Sequence, residues 1–111
     1  MTEFDTTQVL LQSALEAEIK RADALHPPIA SAHEGWAVLL EEIQELDEEA
    51  QSVKSMHDLI FQDIRRDVPA GEGVECIYWA ALRAAREAIQ IAAVAARFLE
   101  MEDKTYGKAP R

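Results

Sequence analysis

Apolar residues recur at three- and four-residue steps along most of the chain, and this recurrence predicts helices rather than strands. The first segment runs from Thr6 to Leu25, with Val9, Leu10, Ala14, Leu15, Ile19 and Ala22 near helical spacing. His26-Pro27-Pro28 ends it, because consecutive prolines cannot continue the hydrogen-bond ladder. A second segment starts at Ser31-Ala-His-Glu34, which reads as a capping box: Ser31 accepts from the first turn and Glu34 reaches back. Trp36, Leu39, Leu40, Ile43, Leu46 and Val53 then form one stripe. Glu34, Glu41, Glu45 and Glu48 lie nearly opposite it at ~100° per residue, with Glu42 and Glu49 on a shoulder.

Periodicity weakens from Lys54 to Gly73. Met56, Leu59, Ile60 and Ile64 predict a separate short amphipathic helix, and Val68-Pro-Ala-Gly-Glu-Gly73 predicts a loop. The third main helix, Val74 to Glu102, is of another kind. Ala, Ile, Val, Leu, Tyr and Trp cover most of it, while Arg83, Arg86, Glu87, Gln90 and Arg97 fall on one narrow polar stripe. A helix that is apolar nearly all round belongs inside a bundle. The expectation is an all-α fold: an antiparallel bundle of three main helices plus the short one, forming one domain over residues 1–104, with 105–111 as a tail.

Three such helices cannot cover the third. The remaining apolar patch is larger than soluble monomers tolerate, so at least a homodimer is expected. Trp36 and Trp79 are expected as core anchors, and Cys76 as a packed thiol.

The net charge of −10 in 111 residues disfavours nucleic-acid backbones and anionic membranes as partners. A nucleotide remains admissible, since a bound cation reverses the local sign. One cysteine excludes an internal disulfide, the opening Met1-Thr-Glu-Phe-Asp5 is no secretory signal, and the longest apolar stretch carries Arg83, Arg86, Glu87 and Arg97. A soluble cytoplasmic protein is the expectation.

The chain has no P-loop, nucleophile elbow or zinc spacing, and no Glu-x-x-His pair of the ferritin-like di-iron kind. Catalysis, if present, falls to carboxylates and a metal. Glu42-Ile-Gln-Glu45 sets two carboxylates one turn apart, and Glu87-Ala-Ile-Gln90 repeats the spacing with an amide in the last place. On a chain this acidic the first pair alone is also what a solvated face looks like. Glu87 is more telling, because an unpaired carboxylate on an apolar helix is costly. A salt bridge to Arg83 or to a partner on the second helix is its plain alternative, and Arg83 and Arg86 are themselves expected to pair with glutamates of the second helix.

Glu41-Glu42-Ile-Gln-Glu45-Leu46 resembles the EExxE-L signature of the MazG-like, all-α nucleoside triphosphate pyrophosphohydrolases. Glu87-Ala-Ile-Gln90 falls where that family carries ExxD. The longer strings Ser31 to Glu42 and Glu87 to Leu99 are similar to small MazG-like proteins, so the likeness spans about half the chain. The resemblance implies a dimer or dimer of dimers, Mg²⁺ (or Mn²⁺) held by Glu42, Glu45, Glu87 and Gln90, and hydrolysis of a (d)NTP to (d)NMP and pyrophosphate. Glu41 would orient or deprotonate the attacking water. Two departures stand out: Gln90 occupies the Asp position, and the spacer from Leu46 to Arg86 is longer than is usual for the family. Gln90 also keeps open a second expectation, a non-catalytic helical dimer with a degenerate metal site.

Overall fold

The computed structural model describes residues 3–108. It contains α1 (Glu3–Leu25), α2 (Ala32–Arg65) and α3 (Gly71–Tyr106), and no strand among the described residues. Residues 109–111 of the expected tail lie outside them. No helix is long and apolar enough to cross a membrane.

The helix ends follow from local chemistry. Glu34 N–H donates to Ser31 Oγ at 3.1 Å, and Glu34 Oε2 accepts from Ala30 N–H at 3.2 Å. The capping box therefore forms, although its return bond reaches one residue beyond the cap. The separate helix expected at 56–64 does not exist: α2 runs unbroken to Arg65. With neither Gly nor Pro between Trp36 and Arg65, nothing in the sequence interrupts the ladder. α2 ends in a Schellman motif around Asp67 (φ 57°), where Val68 N–H reaches Asp63 O and Asp67 N–H reaches Ile64 O. α3 starts at Gly71, inside the expected loop, and continues to Tyr106, where Gly107 (φ 80°) closes it.

The chain gathers into two compact units: residues up to Glu42 with those from Ile89 onward, and Ile43–Ala88. The second unit is an antiparallel αα-hairpin. Ile60 lies against Gly73, Glu49 against Arg83 and Glu45 near Glu87, so partner numbers fall on α3 as they rise on α2. Its less exposed positions step by three and four: Leu46, Glu49, Val53, Met56, Ile60 and Asp63 on α2, with Ala50 beside Glu49 also half-buried, and Gly73, Ile77, Ala80, Ala84 and Glu87 on α3. That is the seam of a two-helix coiled coil. Gly73 is needed there, since a β-carbon at 73 would stand 2.9 Å from Ile60 Cγ1.

In the first unit, Gly35 is buried and faces the Phe98 ring, and Ile29 and Ala93 are buried. Arg97 ties down the end of α1. Its side chain is only 10% exposed and donates to Asp23 Oδ1 (2.9 Å), His26 O (3.2 Å) and Pro27 O (2.7 Å). Removing a charged donor from two carbonyls and a carboxylate is expected to cost about 2–3 kcal/mol in Arg97→Ala. Urea unfolding measures this. A loss below a few tenths of a kcal/mol would mean the three bonds are not formed in solution.

Burial departs from expectation. Trp36 (65% exposed) and Trp79 (51%) are not core anchors, and Cys76 is exposed. In the hairpin the cause is geometric. Two helices share one seam, so a helix that is apolar all round hides one stripe and leaves the rest in water.

Candidate metal centre

α2 brings Glu42 and Glu45 to one side by their three-residue spacing, and the hairpin register brings Glu87 opposite Glu45. Within the hairpin, one carboxylate oxygen of Glu45 lies within 4.8 Å of one of Glu87. Glu42 and Glu87 are half-buried and Glu45 is exposed. All the donors are hard oxygens. A Mg²⁺ ion with ligands at ~2.1 Å holds its oxygens roughly 3–4 Å apart, so side-chain rotation alone brings Glu45 and Glu87 to ligating distance. The residues fit a hard divalent cation.

Gln90 is half-buried one turn beyond Glu87 on α3. It lines a groove of about 390 Å³ in the first unit, together with Glu41, Glu42, Glu34, Arg21 and Arg97. Glu41 and Glu42 both stand on the groove wall. The volume lies in the range of small-ligand sites.

One contribution was not foreseen from the sequence. It is Arg21 on α1, whose Nε donates to Glu18 Oε2 at 3.0 Å while its Nη2 pairs with Glu18 Oε1. The Glu18 hydrogen bond and charge raise the guanidinium above its ordinary pKa against a small desolvation, and the Glu42 charge adds to the rise. A permanent positive charge therefore sits within electrostatic reach of Glu42. Arg83 pairs with a glutamate of α2, as expected: it reaches across to Glu49 (3.1 Å), one turn from Glu45. This cross-helix bond fixes the register that carries Glu87 to Glu45. The Glu18-x-x-Arg21 spacing on α1 was legible as an i,i+3 pair; its position beside Glu42 was not.

No protein-family model, curated protein or solved structure matches the chain.

Proposed function

We propose that the chain is a metal-dependent nucleotide pyrophosphohydrolase, working as a homodimer or dimer of dimers of helical bundles. The observation that carries this reading is the approach of Glu45 to Glu87 in the hairpin; in the first unit, a groove lined by Glu41, Glu42, Arg21 and Arg97 supports it. Glu42, Glu45 and Glu87 would hold Mg²⁺ or Mn²⁺, with the Gln90 carbonyl as a fourth, neutral donor. Bound there, the ion supplies positive charge for polyphosphate oxygens and acidifies water.

The protein's own share is positioning and proton transfer. Arg21 and Arg97 offer cationic donors on a groove wall that is otherwise strongly acidic. Water attacks the α-phosphorus, the bond to the bridging oxygen breaks, and pyrophosphate departs with that electron pair. The Glu41 carboxylate takes the proton released by the water. Its place on the groove wall suits that role.

Gln90 favours a second reading. A neutral donor in place of a carboxylate lowers the charge offered to a cation, which suits a non-catalytic helical dimer with a vestigial site. One panel separates the two. Pyrophosphate release from dNTPs and NTPs is measured with Mg²⁺ or Mn²⁺ for the wild type and for Gln90→Asp. The expected result is an active wild type, with Gln90→Asp binding the cation about tenfold more tightly. A silent wild type rescued by Gln90→Asp marks the vestigial site. Silence of both across the panel sinks the hydrolase reading.

A further inference from the structure

A second cleft lies in the first unit, between the end of α1 and the last turns of α3. It measures about 240 Å³, shares His26, Ile29 and Arg97 with the larger groove, and adds Asp23, Glu100, Met101 and Lys104. Its volume falls below the ~300–1,000 Å³ of drug-sized sites. A cavity of ~150 Å³ admits benzene, so this one suits a ligand on the order of ten non-hydrogen atoms.

Arg97 supplies an anchor. A guanidinium carries five N–H donors in a rigid fork. Here Nε is engaged by Asp23 Oδ1, and Nη2 by His26 O and Pro27 O. Nη1 donates to nothing among the described residues. No buried side-chain nitrogen or oxygen among them lacks a partner, so Nη1 is not sealed off; its two N–H groups reach water in the clefts that Arg97 lines. The three bonds on the far side hold this edge still, and a fixed, nine-tenths buried guanidinium edge suits a carboxylate.

Charge around the anchor is balanced. Arg97 and Lys104 face Asp23 and Glu100, although the whole chain carries −10. A simple anion would meet two carboxylates, and a simple cation two bases. A zwitterion leaves no charge unmatched. Lys104 Nζ and Glu100 Oε1 pair at 3.4 Å, and both side chains are largely exposed. Such a pair adds little to stability and is readily exchanged. A ligand carboxylate then takes Lys104 while its ammonium takes Glu100. Ile29, which is buried, and Met101 give the cleft an apolar side.

We propose that this cleft binds a free α-amino acid with an apolar side chain. Its carboxylate lies on Arg97 Nη1 and Lys104, its ammonium on Glu100, and its side chain against Ile29 and Met101. The site is distinct from the proposed metal centre, since none of Glu42, Glu45, Glu87 and Gln90 lines the cleft.

Amide NMR of the full chain, titrated with millimolar L-leucine, L-methionine or L-valine, tests it. Saturable shifts are expected at His26, Ile29 and residues 97–105. Isocaproate and L-leucinamide each lack one of the two charges of leucine. Each is expected to bind at least about tenfold more weakly, the loss of one hydrogen bond to a charged group. Glu100→Gln and Lys104→Met, on exposed positions and checked for folding by circular dichroism, are each expected to weaken leucine about tenfold, while Lys104→Arg retains it. Failure of all three amino acids to shift these amides overturns the inference. Equal binding of isocaproate overturns it too, by marking a site for monoanions, as do shifts confined to the groove around Arg21 and Gln90. Pyrophosphate release is read separately, so a silent hydrolase leaves the cleft standing and an empty cleft leaves the hydrolase standing.

Discussion

Glu87→Gln is expected to reduce pyrophosphate release at least about a hundredfold. Losing an outer-shell partner of a metal site already costs about 10–100-fold, and a direct ligand carries more. The substitution keeps the shape of the side chain and removes one negative charge from beside Glu45, in the proposed ligand set. The same change is expected to abolish any rise in melting temperature produced by millimolar Mg²⁺ or Mn²⁺, because that rise reports binding to the folded state. Thermal melts with and without the cation, beside single-turnover release, make the comparison. Retention of both the melting shift and the activity would remove Glu87 from the centre and leave it a structural residue of the hairpin seam.

The second large effect is one of folding. A β-carbon on Gly35 would overlap the ring of Phe98. Overpacking of this kind costs about 1–3 kcal/mol, of which the better helix propensity of alanine returns at most about 1. Gly35→Leu adds further atoms to the same space and is expected to lose 3 kcal/mol or more, a large share of a small domain's ~5–15. The diagnostic is non-additivity. Phe98→Ala is itself destabilising by about 3 kcal/mol, yet in its background Gly35→Ala is expected to be neutral or stabilising. Denaturant unfolding of the four proteins closes the cycle. Additive costs would show that the ring yields and that no tight contact exists.

Local chemistry carries much of the fold. The prolines after His26, the Ser31–Glu34 cap and the three- and four-residue stripes mark α1 and the starts of α2 and α3 within a few residues. The short helix expected at 56–64 and the loop expected at 68–73 are instead the continuation of α2 to Arg65 and an earlier start of α3 at Gly71. The apolar stripe weakens after Lys54, but a helix needs no apolar residue at every step, only a backbone ladder that neither Gly nor Pro interrupts. Trp79 is exposed although its size and apolarity suggest burial, because burial needs an opposing surface, and the hairpin offers only its single seam.

The candidate site divides the same way. Spacing alone sets Glu42 and Glu45 on one side of a helix, because a three-residue step returns nearly to the same face. It also determined that Glu87 and Gln90 share a polar stripe on an apolar helix. Whether Glu87 meets Glu45 depended on the hairpin register, which the five-residue connection, the Asp67 turn and the Arg83–Glu49 bond decide together. Arg21 reached Glu42 only through tertiary packing of the first unit. Periodicity is a property of one helix and is written in its residues; register between helices is a property of their contacts, and only the folded chain sets it.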